Sequence, residues 1–221
     1  MKAMILAAGR GERMRPLTDH TPKPLLQVGG QALIEYHIKA LIKAGINEIV
    51  INYAWLGQQI EQKLGDGKRY GARICYSPET PQALETAGGI IQALPLLGIN
   101  PFMVINGDIW CDYPLIQLPD EPQGLAHLVL VQNPEHNPQG DFSFNGKTLA
   151  VEGENKFTFS GIGVYRPELF AGLSQGARPL APLLRQAMQQ EQITGELYQG
   201  KWFDIGTPER LKELDVMLNQ K

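Results

Sequence analysis

Cysteine is scarce in this sequence: among 221 residues only Cys75 and Cys111 occur, far apart and outside any Cys-x-x-Cys pair. The sequence therefore predicts neither a structural zinc site nor a disulfide framework. Long apolar runs are absent too, since no stretch approaches the roughly 18 residues of a membrane-spanning helix. The apolar segment from Ala3 to Ala8 ends at Gly9 and is shorter than the roughly 7–15 residues of a secretory signal. These absences make the cytoplasm the expected compartment.

Net charge is also small. The 20 lysines and arginines stand against 23 aspartates and glutamates, a formal net charge of −3, so neither a nucleic acid nor an anionic membrane is an expected partner. A hydrophobic share of 43% suits a globular core and argues against disorder, collagen or a coiled coil. The 24 glycines and 16 prolines follow no period and predict many turns. The length suits a single domain over residues 1–221.

Three familiar catalytic patterns are incomplete or missing. Gly9 and Gly11 follow a short apolar run, but Met14 stands where a dinucleotide-binding fingerprint needs its third glycine. The Gly-Lys-Thr at Gly146–Thr148 does not complete a P-loop, because Asp141 stands where that motif needs its first glycine. The histidines are scattered and none is placed beside a nucleophilic serine or cysteine, so a catalytic triad is not predicted; His37 is interpreted as a flank residue of a helix.

Apolar periodicity in the first half predicts alternating strands and helices. Buried strands are expected near residues 3–6, 48–52, 73–76 and 102–105, and helices near 33–42, 58–64 and 86–94. The first of these helices stops at Gly45, a typical C-terminal signal. Strands joined by helices imply right-handed β-α-β units and a parallel sheet.

The second half changes character. Strands are predicted near 127–131 and 160–165, and helices near 180–189 and 208–218, the last with Thr207 as N-cap and Pro208 at its first position. Asn145-Gly146, flanked by apolar residues, predicts a hairpin with a type I′ turn, in which both central residues have positive φ. The predicted fold class is α/β: a Rossmann-like three-layer sandwich with a mainly parallel sheet and antiparallel additions.

A cationic glycine loop follows the first strand. Gly9 and Gly11 let backbone N–H groups turn toward an anion, and Arg10, Arg13, Arg15 and Lys23 come close behind. Pro22 and Pro24 stiffen the backbone around Lys23, which indicates that the position of this lysine matters. In an acidic chain, this local excess of positive charge favours binding of a polyphosphate.

Two acidic residues follow apolar stretches. Asp108 lies just past a predicted parallel strand, where α/β sheets bind ligands, and Asp204 precedes the last predicted helix. Carboxylates without a histidine or cysteine cluster suit Mg²⁺, which takes oxygen ligands, waters and substrate phosphates.

Several segments together resemble the sugar-1-phosphate nucleotidyltransferases, over nearly the whole chain. They are Gly9–Thr18, Pro22–Leu25, Leu84–Gly89, Asn106–Asp108, Phe159–Tyr165 and Trp202–Thr207. The resemblance implies a nucleotide-binding half, residues 1–110, and a sugar-phosphate-binding half, residues 111–221. The sequence departs from many members of the family at Glu12, where they have a small hydroxyl residue, and at Glu85, where they have glycine.

The resemblance also implies a role for each site residue. The nucleotide-binding residues would be Leu6, Ala7, Ala8, Gly9, Gly11, Glu12, Arg13, Lys23 and Gly88, with the base at Leu6–Ala8 and Gly88. Arg13 would contact the departing pyrophosphate and Lys23 the α-phosphate. Asn106, Gly140, Glu154 and Lys156 would bind the sugar phosphate. Asp108 and Asp204 would hold Mg²⁺ and, with Arg13 and Lys23, would make up the catalytic set.

The expected reaction is Mg²⁺-dependent transfer of a nucleotidyl group from UTP to a sugar 1-phosphate. Within this family, Leu84–Gly89 and the short length most resemble the members that act in cell-wall recycling, and this resemblance implies N-acetylmuramate 1-phosphate as the sugar. The alternatives are a guanylyl- or thymidylyltransferase acting on mannose, heptose or glucose 1-phosphate, and a non-catalytic sensor of nucleotides or sugar phosphates on the same fold. A monomer or small homo-oligomer is expected.

Overall fold

The computed structural model describes residues 1–220; Lys221, the last residue of the predicted domain, lies outside them. The strands are Lys2–Leu6 (β1), Gln27–Val28 (β2), Gln31–Ala32 (β3), Glu48–Tyr53 (β4), Arg73–Pro78 (β5), Phe102–Asn106 (β6), Ile109–Cys111 (β7), Ala126–Val131 (β8), Phe142–Phe144 (β9), Leu149–Ala150 (β10), Lys156–Tyr165 (β11), Ile193–Tyr198 (β12) and Trp202–Asp204 (β13). The α-helices are Leu33–Lys43 (α1), Gly57–Leu64 (α2), Glu85–Leu97 (α3), Ala181–Gln189 (α4) and Pro208–Asn219 (α5). Each helix and strand predicted from periodicity is confirmed.

The main sheet joins a parallel part to an antiparallel part. Strands β5, β4, β1 and β6 pair in that order, all parallel. Strand β11 then pairs antiparallel with β6 and β8, and β12 adds to β8 in parallel. This mixed sheet with mainly parallel strands confirms the predicted fold class.

Helices cover both faces of this sheet. Ala3 and Ile5 of β1 point into a core shared with α1 and α2, and Met4 points into the opposite core with α3 and α4. A central parallel strand is buried on both faces, which explains why residues 3–6 form an unbroken apolar run. Within residues 1–220, no helix is long and apolar enough to cross a membrane.

The predicted hairpin is present, but its turn differs from the prediction. Leu149 pairs with Phe144, so the loop spans residues 145–148, and only Gly146 within it has a positive φ. The Asn145 side chain accepts hydrogen bonds from the backbone N–H groups of Lys147 and Thr148. The type I′ prediction is therefore wrong: an asparagine-stabilised loop, with its side chain replacing turn hydrogen bonds, connects the strands.

A short ribbon outside the main sheet was not predicted. Strands β7 and β13 pair antiparallel, with Asp204 opposite Ile109. The backbone N–H of Ile205 donates to the Asp108 carbonyl at 2.9 Å. The ribbon thus joins two segments far apart in sequence and brings Asp108 and Asp204 to the same place.

Candidate active site

The site lies where the parallel strands end. Sheet register places Leu6 of β1 between Asn52 of β4 and Asn106 of β6. Strand β4 pairs with one side of β1 and β6 with the other, so the order of the strands reverses at β1. Open α/β sheets bind ligands at such a switch point. Gly161, with a φ of +85°, forms part of a β-bulge in β11, and a Cβ there would lie 2.7 Å from the Asn106 side chain. The bulge glycine therefore makes room for Asn106 at the site.

Three neighbouring cavities open along this edge. The central cavity, about 230 Å³, is lined by residues that include Leu6, Ala7, Ala8, Gly9, Lys23, Asn52, Glu79, Glu85, Thr86, Asn106 and Asp108. The loop cavity, about 280 Å³, is lined by Gly9, Gly11, Glu12, Arg13, Met14, Lys23, Asp108 and Gly206. The outer cavity, about 610 Å³, is lined by residues that include Glu85, Thr86, Asn106, Asp141, Phe142, Phe159, Leu184 and Arg185. Because adjacent cavities share lining residues, they form one continuous cleft.

The glycine loop is shaped by contacts behind it. Gly11 has a φ of +68°, and a Cβ at this position would lie 3.1 Å from Thr18 and 3.3 Å from the Lys23 side chain. The buried Thr18 hydroxyl donates to the Gly11 carbonyl at 2.7 Å. Glycine is therefore required at position 11 both by conformation and by the close approach of Lys23.

Lys23 is the cation at the centre of the cleft. It begins a 3-10 turn, Lys23–Leu25, between Pro22 and Pro24 and is only 7% exposed. Its ammonium group lies 2.8 Å from Asp108 Oδ2, and both residues line the central and loop cavities. A buried ammonium group needs a charged partner such as Asp108. While paired with Asp108, Lys23 still lines the two cavities.

The four cations of the loop divide into two groups. Arg13 and Lys23 line the loop cavity. Arg10 instead stacks on Trp55, 3.8 Å from the ring centroid, and both Arg10 and Arg15 pair with Asp19. Although desolvation opposes it, hydrogen bonds and charge from these arginines lower the pKa of Asp19. Of the four cations that made up the predicted local excess of positive charge, only Arg13 and Lys23 line the cleft.

A second charged group surrounds Asp204. Its Oδ2 accepts a hydrogen bond from Arg210 at 2.7 Å and lies 3.2 Å from His136 Nε2. A Cβ built on Gly206 would lie 3.1–3.3 Å from Arg210, Asp204 and Arg13. Gly206 therefore marks the point where these charged side chains converge beside the loop cavity.

The residues present suit a magnesium ion. Asp108 and Asp204 come together through the β7–β13 ribbon, and each carboxylate is balanced by a cation. No cluster of three or more histidine, cysteine or acidic side chains able to hold a metal occurs within residues 1–220. Two carboxylates that leave the other positions to water and phosphate are the donor set that Mg²⁺ accepts.

A buried polar network supports the floor of the central cavity. Asn52, 2% exposed, accepts a hydrogen bond from the Ala7 N–H at 2.8 Å and donates to Glu79 at 2.6 Å. Glu79 also accepts from the Leu84 N–H at 2.6 Å. Burial raises the pKa of Glu79, although these two hydrogen bonds oppose the shift. The network fixes the backbone from which Ala7 and Ala8 face the cavity.

His37 lies under the Asp108 segment. It is 6% exposed, so the interpretation as a helix flank is wrong. Burial lowers the pKa of His37 to about 4, although the charge of Asp108 and a hydrogen bond to the backbone of Ile109 oppose the shift. The neutral imidazole thus helps to seat the turn that carries Asp108.

Some predicted residues lie elsewhere. Gly88 is buried in α3, and its N–H donates to the Arg178 carbonyl at 3.1 Å, so it packs against a neighbouring segment instead of facing the central cavity. Glu154 is exposed, and Lys156 pairs with Glu152 at 3.0 Å. Gly140 precedes Asp141, which lines the outer cavity. The roles of Gly88, Gly140, Glu154 and Lys156 remain predictions.

The sequence interpretation missed four functional candidates. Asn52 and Glu79 follow the same rule that identified Asp108, because each is polar and lies at or just past the end of a parallel strand. No local signal distinguishes His136 or Arg210, which reach Asp204 only through the fold.

Comparison with known proteins agrees with this geometry. The family model for nucleotidyl transferases matches residues 2–221. An N-acetylmuramate alpha-1-phosphate uridylyltransferase from Neisseria meningitidis is 55% identical, over 98% of each chain. A protein of the same name from Caulobacter vibrioides is 31% identical, over 94% of this chain and 92% of that one. The crystal structure of a protein described as a glucose-1-phosphate thymidylyltransferase from Bacillus anthracis shares the fold, with a TM-score of 0.88 at 22% identity, over 100% of this chain and 96% of that one.

Proposed function

Because the chain belongs to the nucleotidyl transferase family, we propose that it transfers a uridylyl group from UTP to N-acetylmuramate 1-phosphate, releasing pyrophosphate. The sugar and base follow the relatives that carry this activity in their names. The observation that carries the reaction type is the Lys23–Asp108 pair, which lines both the central and the loop cavity. We assign the reaction to the cytoplasm, where UTP is made, and to the recycling of cell-wall sugars.

The three cavities suit the three parts of such a reaction. The nucleoside occupies the central cavity, beside the backbone of Leu6 to Ala8. The β- and γ-phosphates occupy the loop cavity, between the glycine loop and Arg13. The sugar occupies the outer cavity, whose walls include Phe142 and Phe159. The α-phosphate then lies at Lys23, where the cavities meet.

The chemistry is an in-line displacement at the α-phosphorus. An oxygen of the sugar 1-phosphate forms a bond to that phosphorus, and the bond to the β-phosphate oxygen breaks. The attacking phosphate is already ionised at neutral pH, so no general base is required. Both reactants are anions, and the chain must therefore align them and offset their repulsion; alignment alone can contribute roughly 7–11 kcal/mol.

The side chains divide this work. Lys23 neutralises charge that develops on the α-phosphoryl group, and Arg13 does so on the departing pyrophosphate. Asp108 and Asp204 would hold Mg²⁺, which supplies charge neutralisation between the two phosphates when bound.

The outer cavity also suits the carboxylate that distinguishes N-acetylmuramate from N-acetylglucosamine. Arg185 lines this cavity and forms no ion pair with the side chains of residues 1–220. Mannose and glucose 1-phosphates carry no such carboxylate. We therefore expect Arg185→Gln to raise KM for N-acetylmuramate 1-phosphate about 10-fold, because one charge-assisted hydrogen bond is lost. KM for N-acetylglucosamine 1-phosphate should stay unchanged.

The direct test is pyrophosphate release from the purified protein over a grid of substrates. UTP, GTP, CTP and dTTP are each paired with the 1-phosphates of N-acetylmuramate, N-acetylglucosamine, glucose and mannose. We expect UTP with N-acetylmuramate 1-phosphate to give the highest kcat/KM. If another pair gives the highest kcat/KM, the proposed substrates are wrong and the proposed reaction type stands. Tight binding of UTP without pyrophosphate release from any pair would instead identify a sensor.

A further inference from the structure

Glu85 has an unfavourable backbone conformation. Its φ is +58°, one of three positive φ values at non-glycine positions within residues 1–220, with those of Leu56 and Glu191. L-residues are disfavoured in this region because Cβ crowds the following carbonyl, and glycine has no such cost. A glutamate that persists here needs a reason in its side chain.

The Glu85 side chain makes no polar contact with other side chains or backbone groups of residues 1–220. The residue is exposed at the start of α3, and its carboxylate makes no hydrogen bond or ion pair to residues 1–220. Glu85 nevertheless lines both the central and the outer cavity, together with Thr86 and Asn106. The strained residue thus presents an unpartnered carboxylate where the two cavities meet.

The other carboxylate of the outer cavity is already engaged. Asp141 accepts hydrogen bonds from the Phe159 N–H at 2.8 Å and from Asn137 at 3.1 Å. Both of its oxygens therefore serve to hold the loop that bears it. Glu85 is left as the acceptor available to a ligand in this cavity.

We propose that Glu85 binds the acceptor sugar by accepting a hydrogen bond from one of its hydroxyl or amide N–H groups. A carboxylate repels phosphate, so its partner must be a neutral donor on the sugar body. This bond orients the sugar so that its phosphate points toward Lys23. The inference rests on the proposed function, and it makes Glu85 a specificity-determining residue of the same reaction.

The test compares Glu85→Gly and Glu85→Gln with Glu191→Gly. Glu191 has nearly the same φ, +57°, but lies just past the end of α4 and does not line any of the three cavities. For Glu85→Gly we expect KM for the sugar 1-phosphate to rise about 10-fold, as for a lost hydrogen bond to a charged group. KM for UTP should stay within about twofold, and Tm should not fall, because glycine relieves the backbone. Glu85→Gln keeps an acceptor oxygen and should give an intermediate KM, whereas Glu191→Gly should leave both KM values unchanged.

The outcomes separate this inference from the function on which it rests. Wild-type protein that releases no pyrophosphate with any pair overturns the proposed function itself. An active wild type with an unchanged sugar KM in Glu85→Gly overturns only the role of Glu85. A rise confined to KM for UTP would place the carboxylate on the ribose and also overturn it. A fall in Tm with both KM values unchanged would show that Glu85 serves the start of the helix.

Discussion

Replacing Lys23 by alanine tests whether this lysine acts on the reaction rather than on binding. The ammonium group is buried, fixed by two flanking prolines and 2.8 Å from Asp108. Removing one fixed donor from developing negative charge costs about 10²–10³ in turnover, or ~3–4 kcal/mol. Arg13 remains to hold the phosphates, so we expect the Kd for UTP to rise less than about 10-fold.

The folded state should tolerate this change. The Asp108 side chain is 45% exposed, so water can replace the lost ammonium group at a cost of about 1 kcal/mol or less, and the buried stem of Lys23 adds about 1–2 kcal/mol. Thermal melting should therefore show a cooperative transition with a Tm lowered by only several degrees. This separates loss of activity from loss of fold.

The assay combines pyrophosphate release with calorimetric binding of UTP. Arg15→Ala is the matched control, since Arg15 is a cation of the same loop that pairs with Asp19 at 2.7 Å and does not line the cleft. We expect the control to keep turnover within about twofold of wild type. A Lys23→Ala variant with near wild-type kcat, or one in which kcat and UTP affinity fall by the same factor, would refute the assigned role.

Four further substitutions have defined outcomes. Asp108→Asn and Asp204→Asn should each abolish Mg²⁺-dependent turnover and weaken Mg²⁺ binding in a direct titration, with Tm kept; unaltered titrations in both would remove the metal assignment. Asn52→Ala should lower the free energy of urea unfolding by about 2 kcal/mol, because it removes the partner of the Ala7 N–H and of Glu79 Oε1. The same variant should have a higher KM for UTP. A variant as stable as wild type would contradict the proposed role of the network. His37 has a folded pKa of about 4 against 6.5 in the unfolded chain, so the unfolded state binds more protons between these two pH values. The free energy of unfolding therefore decreases as the pH is lowered through this range, and at about pH 4.5 it is about 2.5 kcal/mol below its value at neutral pH. His37→Leu should therefore show a flatter acid limb in urea unfolding, and parallel limbs would be inconsistent with burial of a neutral imidazole.

Elements with a clear apolar run or helical periodicity were predictable, and strands without such a pattern were not. Residues 3–6 and 102–105 form apolar runs because neighbouring strands and two helical layers enclose them. Strand β12, Ile193–Tyr198, mixes threonine, glycine and glutamate at the edge of the sheet, and such a pattern does not differ from a loop. His37 shows a signal that was available: it has the helical spacing of the buried Leu33, Ile34 and Leu41.

The same distinction holds for the site. Lys23 and Asp108 were identified because a local motif surrounds each of them. Arg210 and His136 lie 74 residues apart in sequence, and only tertiary packing brings both to Asp204. Local composition also counted Arg10 and Arg15 in the cationic excess, since charge alone does not reveal that Asp19 and Trp55 already engage them.

The β7–β13 ribbon sets the order in which this protein can become active during synthesis. One carboxylate of the proposed magnesium site, Asp108, precedes β7, and the other, Asp204, ends β13, so the ribbon closes a loop of nearly half the chain. Closing so long a loop is slow and entropically costly, and it must follow the local β-α-β contacts. A ribosome-bound chain would thus contain the glycine loop and Lys23 well before Asp108 and Asp204 meet. Under the proposed magnesium assignment, catalytic competence is therefore gained late in folding, after the sheet that supports it is in place.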